Sequence, residues 1–565
     1  MGNDTLGNST PSSRPGSDTI KNESQENIES LTKVPAKFVP TTQFWLVWFS
    51  MCVTVFLSAL ELTALSVVLP TIVEDLGSTS DEQKSDGVLM HGDTSSFAWI
   101  GSAYVLTSTA FIPIFGSLAH IFGRRVGMLA SIILFAIGSA ICGAAPTINA
   151  LIAGRAIQGA GGGGILALCE ILAVDLVPLS VRGIYMGIIG FVWAVASAIG
   201  PPIGGAFGER QGLWRWLFYL NLPLCGIAAL LVFLFLRVPV PQTTWEQKRG
   251  EIDYALLLFV GASVAATLGL SWAGSTYSWG SYQVLVSLIV GIAGLAAFIF
   301  IESTCLKNHP NPTVPYSILN NTNSIFGYVT NFLHGVGTIA AVYYFPVYFQ
   351  ALQGASPVQS GVRFFSIAFT VAPAAIFCGA IVTITKKYVL INWIGWGFFT
   401  LGFGLMSLLN TNSPARNWIG IPIVAGIGAG LLYSAPLFAI LGPLAPEHQP
   451  RAMAFHAFTR AFGNVFGVTV GATVIQSHLT SHLPDDFMVL VEGSASAAYG
   501  AIPYIKTLPE PLQTSVKHVF SDALQKLWYV CCGIAGLGLL VSLTLKHYDM
   551  AETVDETWKM EERKK

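Results

Sequence analysis

Fourteen apolar runs, each close to the ~20 residues a helix needs to cross a bilayer, leave this chain few folds to choose from. They lie near residues 44–69, 97–119, 127–145, 148–173, 184–207, 214–236, 254–274, 283–303, 323–350, 360–384, 389–409, 417–442, 457–478 and 527–546. Only 11% of the 565 residues are charged and mean hydropathy is +0.60, against about 25% charge in a soluble domain. Such a chain cannot cover a water-exposed surface and reads as an integral membrane protein made of helices, because hydrocarbon leaves no partner for an open backbone.

Basic residues orient the spans. Arg124 and Arg125, Arg182, Lys248 and Arg249, Lys307, Lys386 and Lys387, Arg451 and Lys546 follow the even-numbered spans. Glu74, Asp75, Asp81, Glu82, Asp86 and Asp93 follow the first. Both termini are therefore expected in the cytosol, as an even count requires. Residues 1–43 are rich in Ser, Thr, Asn and Pro and read as a disordered cytosolic tail; on that side the sequons at Asn3, Asn8 and Asn22 are chance matches. The segment Leu512–Leu527 has helical apolar spacing and reads either as an amphipathic helix lying on the external surface or as part of a soluble cap.

A weak internal repeat runs through the chain. Gly200-x-x-x-Gly204-x-x-x-Gly208 in span five matches Gly463-x-x-x-Gly467-x-x-x-Gly471 in span thirteen, and Arg124-Arg125 matches Lys386-Lys387. The offset is eight spans, as expected if a six-span unit is duplicated around two inserted spans. This predicts a 6+2+6 order: a tail at 1–43, a six-helix bundle at 44–240, a linker with two inserted helices at 241–322, a second bundle at 323–546 and a cytosolic tail at 547–565. Internal repeats of this kind mark secondary transporters with a substrate site between the repeats.

The composition excludes several classes of function. Net charge is −2, which offers nothing to a nucleic acid. The eight cysteines lie mostly in apolar runs with no CxxC pair, so neither a disulfide framework nor a metal site is expected. There is no GxSxG, HExxH or Walker sequence. Gly159, Gly161 and Gly164 fit GxGxxG, but they sit inside an apolar span, so close helix packing is the better reading. The chain is not expected to be an enzyme or to carry a cofactor, and its energy would come from an ion gradient or from the substrate gradient itself.

Ions inside apolar spans are functional-site candidates. Arg155 in span four and Glu61 in span one both lie about 10 Å below the external end by helix rise, so they can pair. Burial and the arginine pull the protonation of Glu61 in opposite directions, which suits a switchable proton site; a static structural pair is the alternative. Glu170, about 22 Å further along span four, cannot pair with Arg155. It reads as a cytosolic gate or substrate cation site, or as a solvated helix end. His334 lies near mid-bilayer in span nine with Asn331 one turn earlier on the same face; substrate binding or a neutral interface histidine are both open. Tyr343, Tyr344, Phe345, Tyr348 and Phe349 follow, as a pocket wall or an interfacial belt. Arg363 and Arg460 read as residues near span ends, snorkelling or joining helices.

Several stretches resemble the major facilitator superfamily. They are GSLAHIFGRR (116–125), GRAIQGAGGGG (154–164), GFVWAVASAIGPPIGG (190–205) and LSALELTALSVVLPTI (57–72); WRWLFYLNLP (214–223) and FQALQGASPVQSGVRF (349–364) resemble the fungal branch of its fourteen-span drug:proton antiporters. The resemblance implies two six-helix bundles, a central cavity and alternating access with proton exchange. It assigns Arg155 to proton coupling. It places Gly190, Gly200, Pro201, Gly204 and Gly205 in an antiporter motif, and Gly116, His120, Gly123, Arg124 and Arg125 in a cytosolic gate. The family usually has Asp at the positions of His120 and Glu61, so the charge network around Arg124 is expected to differ here.

The expectation is thus a monomeric exporter of small amphipathic molecules such as drugs, toxins or secondary metabolites, driven by protons and embedded in the plasma membrane or, alternatively, the vacuolar one. A proton-coupled importer or siderophore exchanger is the rival within transport. A sensor that does not transport is the rival outside it, disfavoured by the short charged stretch after Lys546.

Overall fold

Fourteen long apolar helices organise the described residues. The structure, a computed structural model, describes residues 40–77, 94–208, 212–238, 244–251, 253–273, 277–306, 309, 312–490 and 502–550. Asn3, Asn8, Asn22, Asp81, Glu82, Asp86, Asp93, Lys307 and the tail beyond 550 lie outside them, as does the side chain of Glu74. In chain order the helices are α1 (Thr42–Gly77), α2 (Thr94–Phe122), α3 (Arg124–Ala144), α4 (Ile148–Leu176) and α5 (Leu179–Gly208). Next come α6 (Arg215–Phe235), α7 (Ala255–Trp272), α8 (Tyr282–Thr304), α9 (Thr322–Leu352) and α10 (Val358–Thr385). The last are α11 (Tyr388–Met406), α12 (Ala415–Leu441), α13 (Gln449–His482) and α14 (Leu512–Ser542).

The packing repeats at the offset the glycines predict. In α1–α6, α1 packs on α5 and α6, while α4 packs on α2 and α3; in α9–α14, α9 packs on α13 and α14, while α12 packs on α10 and α11. The physical basis lies in residues with no side chain. A Cβ on Gly200 or Gly204 would run into Thr63 or Ala64 of α1; one on Gly463 or Gly467 would run into the Phe332 or Val336 carbonyl of α9. The glycine run of α4 does the same on two sides. Gly159 and Gly163 press on Tyr104 and Ser108 of α2, and Gly161 presses on Phe135 of α3. These are backbone-to-backbone approaches that only glycine permits.

The two halves meet along a seam. Helix α5 packs against α10 and, more lightly, α12, while α13 packs against α2 and α4. Helices α7 and α8 pack on each other, and α7 also touches α2 and α13. Helix α4 is buried along most of its length, while Ile289, Val290, Ile292 and Phe300 leave α8 largely open to lipid.

Three expectations are corrected here. Leu512–Leu527 neither lies on the surface nor forms a separate cap: it is continuous with α14, and its Val516, Phe520, Ala523, Leu524 and Leu527 are buried in the core of the second half. An amphipathic helix can bury its stripe against neighbouring helices as readily as against a bilayer surface, and here α9, α11 and α13 pack on α14. Tyr344, Phe345, Tyr348 and Phe349 are buried in the same core rather than forming a belt, with Phe345 and Phe349 in edge contact. Arg460 is not near a span end, because α13 begins at Gln449.

Candidate functional site

Charged clusters lie inside the helical array among the described residues. The first belongs to the first half alone. Arg155 Nη1 on α4 donates to Glu61 Oε1 on α1 at 2.5 Å, and both side chains are 1% exposed. The pairing follows from matched depth on adjacent helices; its support comes from residues that depth arithmetic could not find. Asn221 Nδ2 at the broken start of α6 donates to Glu61 Oε2 at 2.7 Å and to Ser139 Oγ at 3.3 Å. Gln158, one turn from Arg155, accepts from Arg155 Nη1 at 2.7 Å and donates to Ser139 Oγ at 2.8 Å. Arg155 Nε donates to the Ile100 carbonyl at 3.2 Å, and its guanidinium lies 4.6 Å from the Tyr104 ring centre. Each oxygen of Glu61 thus has a donor, which a buried charge requires. The i+3 spacing of Gln158 was the available signal; Asn221 carried none, since it lies in another helix.

The second cluster spans the seam. Glu170 on α4 faces His456 and Arg460 on α13: Oε2 lies 2.7 Å from His456 Nδ1 and Oε1 lies 3.7 Å from Arg460 Nη1. Glu170 is therefore not a solvated helix end, its side chain being 12% exposed. Arg460 Nε donates to Asn331 Oδ1 at 3.2 Å, and Asn331 Nδ2 donates to the His456 carbonyl and to Thr459 Oγ1. The structure brings Glu170 and Asn331 together through Arg460. It does not add His334, which turns to α12 and lies 3.1 Å from the Ala429 carbonyl, against the Phe399 ring. Asn331 and His334 share a face to within about 60°, but that face meets both α13 and α12, and each side chain bonds a different one. His456 was missed, because a histidine inside an apolar run carries no signal until its partner on another helix is known.

The gate segment divides its two arginines. Gly123 sits at φ 93°, a left-handed conformation suited to glycine, and ends α2 before α3 begins. Arg124 turns inward and its Nε pairs with Asp175 of α4 at 2.9 Å, both side chains being buried. The carboxylate expected at the position of His120 is thus supplied from α4. Arg125 turns outward, bonding the Phe233 carbonyl and lying over the Phe233 ring. His120 lines a cleft with Gly116, Arg124, Thr313 and Arg451. Gly116 faces Ala454 of α13 across the seam, and Arg182 Nη1 reaches Gln449 Oε1 across it at 3.1 Å.

The glycines and proline of α5 serve two contacts. Gly200 and Gly204 press on α1, while Gly190 faces the Tyr433 ring, Gly205 faces Val358, and Pro201 backs against Gly361 in the second half. Arg363 is held near the start of α10 by Gln353 at 2.6 Å and lies over the Trp418 ring.

A profile of the Major Facilitator Superfamily matches residues 51–468 of this chain. The chain belongs to that superfamily. The "MFS transporter L2" of a Phoma species is 34% identical over 546 residues, 96% of this chain and 88% of that one. The "Efflux pump FUS6" of Gibberella fujikuroi is 35% identical over 531 residues, 92% of each chain. Among solved structures, the human organic anion transporter MFSD10 aligns with TM-score 0.51 at 16% identity, over 82% of this chain and 98% of that one. The proton:xylose symporter XylE aligns with TM-score 0.54 at 14% identity, over 86% of this chain and all (100%) of that one. Both share the major facilitator fold. This member of the superfamily is thus an integral membrane protein with its charged clusters placed within and between the two repeats.

Proposed function

We propose that this protein is a secondary active exporter of small amphipathic molecules that exchanges substrate for protons by alternating access. The dry pair of Glu61 and Arg155 carries the proton side of this reading. A carboxylate there is stabilised by Arg155 and Asn221, and neutralising it would release both donors, so protonation and helix packing in the first half are linked. In the proposed cycle, substrate enters from the cytosol while Glu61 is ionised, and external protons discharge it. The seam supports the alternating step: α5 meets α10 through Gly183 on Gly379 and Pro201 on Gly361, and α13 meets α2 through Ala454 on Gly116, small-residue contacts along which the halves can rock. Relatives carrying names such as "Efflux pump FUS6" support the outward direction. We further propose a monomer in the plasma membrane, with the acidic end of α1 outside.

The test is proton-driven efflux in proteoliposomes with an imposed pH gradient, using a fluorescent amphipathic dye. Wild type is expected to move dye against its gradient and Glu61→Gln to lose the response to the gradient. Gradient-driven efflux that survives in Glu61→Gln would overturn the coupling role.

A further inference from the structure

We propose that Arg460 is the head-group receptor of the transport path, and that it selects amphipathic molecules carrying a carboxylate. The inference rests on the reading that substrate passes along the seam. Arg460 is held in place by its own half. Its Nε donates to Asn331 Oδ1 at 3.2 Å on α9. One Nη donates to the Tyr433 carbonyl at 3.0 Å on α12 and lies 3.1 Å from His456 Nε2, one turn away on α13. The guanidinium carbon sits 4.6 Å from the Tyr433 ring centre. The fork is therefore oriented before any ligand arrives, as anion recognition requires.

The other arm points across the seam. Its ionic partner there is Glu170 Oε1 at 3.7 Å, longer than a hydrogen bond. A fully engaged carboxylate would sit about 2.7–2.9 Å away and accept two arms. Glu170 commits its other oxygen to His456 Nδ1 at 2.7 Å. With Nδ1 donating to Glu170 and Nε2 accepting from Arg460, His456 is satisfied as a neutral ring and adds no competing charge. A substrate carboxylate can thus take the Nη1 arm of Arg460 while Glu170 keeps His456.

Access and an apolar seat complete the site. The Arg460 and Glu170 side chains are 15% and 12% exposed, against 1% for each member of the Glu61–Arg155 pair. A small apolar cavity between α5 and the second half is lined by Trp193, Thr338, Val342, Ile367, Phe399 and Ala429. Ala429 lies four residues before Tyr433 on α12, about 6 Å along the helix, and the proposed site sets the apolar body of the substrate toward this cavity and its head at Arg460. A cation approaching Glu170 meets Arg460 within ion-pair distance and one carboxylate oxygen already taken. The arrangement therefore opposes the cationic substrate that Glu170 alone suggests.

The full-length protein in lipid nanodiscs, with no gradient applied, is titrated with three probes sharing one body: 1-naphthoate, 1-naphthamide and 1-naphthylmethylammonium. Equilibrium dialysis gives affinity. Naphthoate is expected to bind roughly tenfold or more tightly than the other two, Arg460→Gln to erase that preference, and Arg460→Lys to keep part of it, because a point charge replaces a fork. Glu170→Gln is expected to tighten naphthoate binding several-fold by removing the resident anion. No naphthoate binding, equal or tighter ammonium binding, or a preference that survives Arg460→Gln overturns the proposal. If Arg460→Gln is not monodisperse, Glu170→Gln decides, and unchanged naphthoate affinity overturns it. Binding without a gradient is independent of proton coupling, so failure here and failure of Glu61→Gln to uncouple transport are separate results.

Discussion

Glu61 and Arg155 stand 94 residues apart in the chain and 2.5 Å apart in space, with both side chains sealed from solvent. In a buried pair the loss of one partner leaves the other unpaired, which costs about 3–5 kcal/mol, whereas removing both costs far less. Arg155→Met is therefore expected to lower the thermal unfolding midpoint of the purified protein more than the double variant Glu61→Met/Arg155→Met does. Additive losses would show that the two residues are not coupled.

Asn221 holds the second oxygen of Glu61 and touches Ser139. A hydrogen bond to a charged group contributes about 1.5–3 kcal/mol. Asn221→Ala is expected to cost an amount in this range in denaturant unfolding and to displace the pH at which transport is half-maximal. Asn221→Asp, which sets a second carboxylate against Glu61, is expected to displace it further. An unchanged pH profile in both variants would remove Asn221 from the coupling site.

Arg124 and Asp175 form a second sealed pair, at the cytosolic end of the first half. Asp175→Asn is expected to lower stability by about 3–5 kcal/mol, because Arg124 loses its carboxylate. Adding His120→Asp to Asp175→Asn is expected to recover part of the loss, since the new carboxylate lies on the helix turn that precedes Arg124. Thermal unfolding of the single and double variants checks this, and no recovery would mean that position 120 cannot reach Arg124.

Gly467 lies on the Val336 carbonyl of α9, and Gly204 on the Ala64 carbonyl of α1. Gly467→Val and Gly204→Val are each expected to cost about 1–3 kcal/mol by overpacking, read as reduced yield of monodisperse protein and a lower unfolding midpoint. Gly397→Val, where a Cβ meets nothing within 4 Å, serves as the tolerant control.

Membrane architecture was legible because hydrocarbon imposes a length and a composition on every span, and fourteen runs satisfied both. The eight-span offset was legible because glycine spacing on one helix face records where a backbone must approach. The Glu61–Arg155 pair could be anticipated because depth along a helix follows from residue number alone. Azimuth does not. Which neighbour a side chain meets depends on how whole helices rotate and pack, and residue number carries no such information. That rotation sent Asn331 to α13 and His334 to α12, gave Arg124 its carboxylate from Asp175 rather than from position 120, and set His456 and Arg460 opposite Glu170. The sequence by itself determined the spans, their repeat and the depth of each buried charge, since these are one-dimensional quantities; only the tertiary structure decided which charges meet, because a buried ion takes whatever partner the packing of several helices brings within reach.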